Sequence, residues 1–110
     1  MRLPNGERAV VDIEKLRDYC LSLNHPRGRH KARVFRSVLG LTRDHAGELC
    51  EALLRVAVHG DATQGETDRF GRRYLIDFEF RGSKAAARIR SGWIVRTGED
   101  FPCFTTCYVL

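Results

Sequence analysis

Residues 24–35 read NHPRGRHKARVF, which sets two imidazoles (His25 and His30), one ammonium (Lys31) and three guanidiniums (Arg27, Arg29 and Arg33) side by side with no carboxylate among them. Imidazoles titrate near neutral pH and carry protons in either direction, while Lys and Arg hold phosphate oxygens. Far along the chain, alternation with period two puts Thr106 and Tyr108 on one face of a closing strand and Arg88, Arg90 and Arg96 on one face of the strand before it. If those strands pair as a hairpin through Gly98, guanidinium, hydroxyl and phenol share one sheet surface. Such groups suffice for metal-independent cleavage of an RNA phosphodiester. A base takes the 2′-hydroxyl proton, a cation stabilises the crowded phosphorus centre, and an acid protonates the leaving oxygen, so that a 2′,3′-cyclic phosphate remains. The plainer alternative is a solvated basic loop and helix face beside ordinary exposed strand residues.

The charge supports an anionic ligand. The chain has 19 Lys and Arg against 14 Asp and Glu, a net +5, and Arg27, Arg29, Lys31, Arg33 and Arg36 account for the whole excess. A positive field confined to one segment attracts phosphates better than diffuse basicity does, which makes Arg27, Arg29, Arg33 and Arg36, with Arg88 and Arg90, candidate nucleic-acid contacts. Cys20, Cys50, Cys103 and Cys107 lack framework spacing and read as reduced thiols. Cys103 and Cys107 would lie about 13 Å apart on a strand, too far for a disulfide or one zinc ion. A metal site would have to combine Cys20 with His25 or His30, and no metal or cofactor is expected. Phosphate-binding glycine loops, HExxH and the nucleophile elbow are missing. The apolar stretches are short and the N-terminus has no signal pattern, so the expectation is a soluble cytoplasmic protein with no membrane association.

At 110 residues and 43% hydrophobic composition, the chain suits one core and one domain spanning residues 1–110. Asp12 caps a first helix with an apolar stripe of Ile13, Leu16, Cys20 and Leu23, ending near Ser22. His25 falls in the following loop because Pro26 biases it away from helical backbone, and His30 lies near the start of a helix carrying Ala32, Phe35, Val38 and Leu39 and stopped by Gly40. Thr42 caps a third helix with Ala46, Leu49, Cys50, Leu53, Val56 and Ala57 on one side. His45 reads as first-turn surface and His59 as a helix-end residue. After Gly60 the period becomes two: Tyr74, Ile76, Phe78 and Phe80 share one face, as do Ala87, Ile89, Trp93 and Val95, and residues 61–70 add a weaker edge strand. Helices first and strands after give an α+β class, with N-terminal helices packed on one face of a C-terminal antiparallel sheet of three to four strands.

The segments LRDYCLSLNHPRGRHKARVF, LG at 39–40, RSGWIVRTGEDFP and the terminal TTCYV resemble a family of bacterial domains found as small stand-alone proteins and as C-terminal domains of polymorphic toxins. The helices-then-sheet order and the closing Thr-x-Tyr are also similar, more distantly, to the superfamily of barnase, EndoU and RelE-type RNase toxins. That resemblance implies a loop or helix supplying His and Lys and strands supplying Arg, Thr and Tyr, hence His25, His30, Lys31, Arg96, Thr106 and Tyr108 as the site. PCFTTC departs from the pattern by placing Cys103 and Phe104 after the proline, where a basic and an aliphatic residue are expected. The expected partner is RNA. The alternatives are a non-catalytic nucleic-acid-binding module and an interaction protein paired with a small acidic antitoxin or immunity protein.

Overall fold

The computed structural model describes residues 1–110. A 3₁₀ turn (Gly6–Arg8) precedes α1 (Ile13–Lys15), which widens into a π-helical segment (Leu16–Cys20); α2 (Arg29–Val34) widens likewise over Phe35–Leu39; a 3₁₀ turn (Arg43–His45) leads into α3 (Ala46–His59). Four strands follow, β1 (Ala62–Asp68), β2 (Gly71–Arg81), β3 (Ala86–Arg96) and β4 (Pro102–Val109), paired antiparallel in sequence order. This is the expected α+β arrangement. No helix is long and apolar enough to cross a membrane.

Local chemistry accounts for the helix ends. The Asp12 carboxylate accepts the Glu14 amide at 3.0 Å, Thr42 and His45 form a reciprocal capping box, and Gly40 takes the left-handed conformation (φ 70°) that ends α2. The expected apolar stripes hold at Leu16, Cys20, Ala32, Phe35 and Leu39 and fail at Ile13, Leu23 and Val38. Ile13 and Leu23 are 41% and 42% exposed and Val38 is 37% exposed, whereas Leu16, Cys20, Leu21, Phe35 and Leu39 are buried. In α1 the Leu21 amide donates to the Leu16 carbonyl at 2.8 Å, a five-residue step that shifts the phase of everything beyond it and buries Leu21 in place of Leu23.

The helices cover one face of the sheet, where Tyr74, Ile76, Ile89, Trp93, Val95 and Phe104 pack with Leu16, Phe35, Leu49 and Leu53. Trp93 meets Phe104 edge-on at 5.7 Å between centroids, and its indole N–H donates to Ser91 Oγ (2.9 Å), which donates to the Ile76 carbonyl (2.9 Å). The opposite face carries Asp77 and Arg90 in a two-pronged ion pair at 2.8 and 2.9 Å.

Two features of β4 position the site. Gly92 pairs with Thr106 but Trp93 pairs with Phe104, so Thr105 is an inserted residue and β4 bulges there. Strict alternation therefore breaks: Phe104 and Cys107, three apart, both enter the core, and Thr106 comes within reach of α1 and α2. In addition, the free edge of β4 is covered at its start, where Val10 exchanges backbone hydrogen bonds with Pro102 and Phe104 and Lys15 Nζ donates to the Phe104 carbonyl at 3.2 Å. The second half of that edge faces Tyr19, Cys20 and Lys31.

Candidate active site at the edge of strand β4

Lys31 stands in the first turn of α2 and points at the bulge. Its Nζ donates to Thr106 Oγ1 (3.3 Å) and Tyr19 Oη (3.4 Å), and it lies 5.1 Å from the Tyr19 ring centroid and 5.8 Å from that of Tyr108. Neither hydroxyl carries charge. None of the seven ion pairs in the chain includes Lys31, so its ammonium is half-buried among oxygens and aromatic faces without a carboxylate. A cation so held keeps its field for an incoming anion. A cavity of about 310 Å³, lined by His30, Lys31, Val34, Tyr108 and Val109, opens beside it.

Behind Thr106 lies a thiol pair. Cys20 Sγ sits 3.9 Å from Thr106 Oγ1 and is buried with Cys107. The Cys107 thiol donates to Cys20 and, with the Thr106 hydroxyl and the Lys31 charge, outweighs the cost of burial, lowering the Cys20 thiol to about 7. Burial and the adjacent Cys20 sulfur push Cys107 the other way, so it retains its proton. Ultraviolet thiolate absorbance of the folded protein should rise with a midpoint of about 7 and lose that step in Cys20→Ser. A single midpoint near the ordinary thiol value of 9.0 would contradict the arrangement. Because the folded value lies below the unfolded one, ionisation of Cys20 stabilises the fold at pH above about 9, and this contribution is lost as pH falls through about 7.

His25 and His30 differ sharply. His25 Nδ1 accepts the amide N–H groups of Arg27 and Gly28, each at 3.0 Å, and its ring meets Tyr19 edge-on at 4.6 Å. Accepting two amides commits the Nδ1 lone pair to the loop backbone. His25 thus braces the loop against Tyr19. The loop is tight enough that a Cβ on Gly28 would collide with the Tyr19 carbonyl. His30 is exposed on the cavity wall next to Lys31.

Lys31, Thr106 and Tyr108 therefore come together with His30, and Arg96 does not join them. Thr106 pairs with Gly92, four residues or about 13 Å along β3 from Arg96, which faces Gly71 and lies 3.7 Å from Glu99. Sharing a strand face made Arg96 a candidate, but antiparallel register carries it to the far end of the sheet. The guanidinium beside Tyr108 is that of Arg90, its cross-strand partner, and the Asp77 carboxylate already occupies it, which raises the Arg90 pKa and lowers that of Asp77. Arg88 is exposed on the helix-free face, sharing a cavity with Asp61 and Asp77. Arg90 is thus less open to phosphate than Arg27, Arg29, Arg33 and Arg36, all exposed around α2 and outside any ion pair. Tyr19 and the thiolate character of Cys20 are absent from the sequence expectation, because only the widened turn brings them to Lys31 and Thr106. A cavity of about 330 Å³ near Leu21, Leu23, Arg36 and Thr42 lies away from these groups.

The fold is similar to that of a chain in a contact-dependent growth inhibition toxin–immunity protein complex from Klebsiella pneumoniae 342, with a TM-score of 0.66 and 17% identity over 92% of this chain and 99% of that one. No curated protein matches the chain in sequence. The model of a family described as a domain of unknown function, DUF6883, matches residues 2–110, and the chain belongs to that family.

Proposed function

We propose that residues 1–110 act as one toxin-type endoribonuclease domain that needs no metal. The observation that carries this reading is the Lys31 ammonium, held by two hydroxyls without a carboxylate and bordering a cavity shared with His30 and Tyr108. His30 takes the 2′-hydroxyl proton, Lys31 stabilises the charged phosphorus centre, and the Tyr108 hydroxyl, beside Arg90, protonates the leaving 5′ oxygen. The 2′ oxygen forms the new bond to phosphorus as the 5′ oxygen leaves, which yields a 2′,3′-cyclic phosphate. Thr106 and Tyr19 position Lys31, while Arg27, Arg29, Arg33 and Arg36 hold the RNA backbone. The fold likeness to a chain of a toxin–immunity complex supports the toxin-type part of this reading.

Purified protein incubated with total RNA in EDTA across about pH 5 to 9 should release fragments with 2′,3′-cyclic phosphate ends. Intact RNA at every pH, with the protein shown to be folded, would remove the catalytic reading. The unpaired arginines around α2 also favour a small acidic protein partner of the immunity type on the same face. Such a partner should co-purify and block RNA access, and its binding should weaken steeply with salt.

A further inference from the structure

Away from the Lys31 centre, the hairpin joining β1 and β2 presents Arg69 and Phe70 at its tip and Arg72 just beyond. Phe70 is 57% exposed, and the Arg69 guanidinium lies 4.9 Å from its ring centroid. An exposed aromatic on a loose loop would mean little, but this tip is tied down. The Phe70 amide donates to Asp68 Oδ1 (2.9 Å), the Thr97 amide donates to the Phe70 carbonyl (3.0 Å), and Thr97 Oγ1 donates to the Arg69 carbonyl (2.9 Å). Gly71, at φ 146°, lets the chain turn into β2 where a Cβ would strike the Val95 carbonyl. The backbone of the tip is therefore held against the turn between β3 and β4, with the ring exposed.

The charges at this end are arranged in the same sense. Asp68 lies 3.5 Å from Arg73 and Glu99 lies 3.7 Å from Arg96, while Arg69 and Arg72 are exposed and belong to no ion pair. An exposed aromatic on a tied-down turn, with the Arg69 guanidinium over its ring and the exposed Arg72 two residues on, offers stacking to a nucleobase and contacts to its flanking phosphates. Aromatic and arginine residues also mark protein interfaces, but a second unpaired basic surface around α2 makes one polyanion reaching both the simpler ligand.

We infer that the Arg69–Phe70–Arg72 tip is a second RNA contact, remote from Lys31, and that the ligand is an RNA long enough to reach both. Tyr108 lies level with Arg90 and Asp77 in the sheet, and six strand steps, about 20 Å, separate Asp77 from Gly71. A mononucleotide cannot bridge that distance. The inference rests on the RNA part of the proposed function and is independent of the cleavage chemistry.

Anisotropy titrations with labelled RNAs of about five and about thirty nucleotides, in EDTA and at two salt concentrations, test it. Phe70→Ala should bind the long RNA about tenfold more weakly, the effect of one lost stacked base, and should shrink the advantage of the long RNA over the short one. Phe70→Trp should restore it, and neither change should move the melting temperature because the ring is exposed. Arg69→Ala should also lower the salt slope by about one. Wild-type affinity for the long RNA in both Phe70→Ala and Arg69→Ala would overturn the inference, as would a Phe70→Ala defect seen only in binding of a co-purified protein partner. If RNA is bound in the Phe70-dependent way but never cleaved, the second contact stands and the catalytic reading falls. If RNA is cleaved with no dependence on Phe70, the reverse holds.

Discussion

Replacing Lys31 with methionine should slow RNA cleavage by about 10²- to 10³-fold while weakening RNA binding less than about fivefold. Methionine keeps an unbranched stem against the Tyr19 and Tyr108 rings and removes only the charged head, so the packing at the β4 edge survives. In the proposed reaction the ground-state phosphate is held by the exposed arginines around α2, whereas the extra negative charge that develops at the phosphorus centre falls to Lys31. Loss of that group therefore acts mainly on the rate. Lys31→Arg should rescue poorly, because a planar guanidinium does not fit where a compact ammonium reaches both Thr106 and Tyr19. Single-turnover rates, set beside dissociation constants for an RNA blocked by 2′-deoxy substitution, separate the two effects. Equal losses in rate and binding would reduce Lys31 to a general electrostatic contact.

The largest effect on stability should come from Trp93→Ala, a loss of about 3–5 kcal/mol. Trp93 is 1% exposed, fills the centre of the sheet's covered face and closes edge-on against Phe104. Its removal leaves a cavity bounded by strand backbone that cannot collapse. Total stabilities of about 5–15 kcal/mol are usual, so a loss of this size removes a large share of the total and brings the variant close to unfolding only where the wild type lies at the low end of that range. Trp93→Phe keeps an aromatic body and loses the indole N–H to Ser91; since Ser91 Oγ still donates to the Ile76 carbonyl, this change should cost less. Urea melts read both through the transition midpoint at unchanged slope. A Trp93→Ala loss below about 1.5 kcal/mol would mean that the core repacks around the gap.

The order of elements was legible in the sequence because it depends on strong periodic signals. Leu49, Leu53 and Ala57 mark α3, and the alternations through Tyr74 and Ile76 and through Ile89, Trp93 and Val95 mark the two central strands. The basic segment was legible as well, since charge is a property of residue type. What could not be read was phase. Leu21 takes the inward place expected for Leu23 because a five-residue hydrogen-bonded turn has no distinctive composition, and Phe104 and Cys107 both face inward because one inserted residue breaks the alternation of β4. For the site, Lys31, Thr106 and Tyr108 were named from their types. Strand face and the family resemblance both point to Arg96, but the register that carries it to the other end of β3 is a long-range property that neither contains. The engagement of His25 Nδ1 by two amides likewise depends on the conformation of the loop.

The widened turns of α1 and α2 bear on how related chains differ in length. Each π-helical segment holds one residue more than an α-helix needs to make the same turn, so a single-residue deletion within Leu16–Cys20 would leave a continuous helix. Side chains beyond the turn would keep their direction, because four residues would then make the turn that five make now, but those within it would be re-spaced at about 100° each. Tyr19 and Cys20 could then no longer both face Lys31 and Thr106. Gaps within these two helices, which a loop would absorb without consequence, should therefore separate relatives that keep this lysine–hydroxyl–thiol cluster from relatives that have lost it.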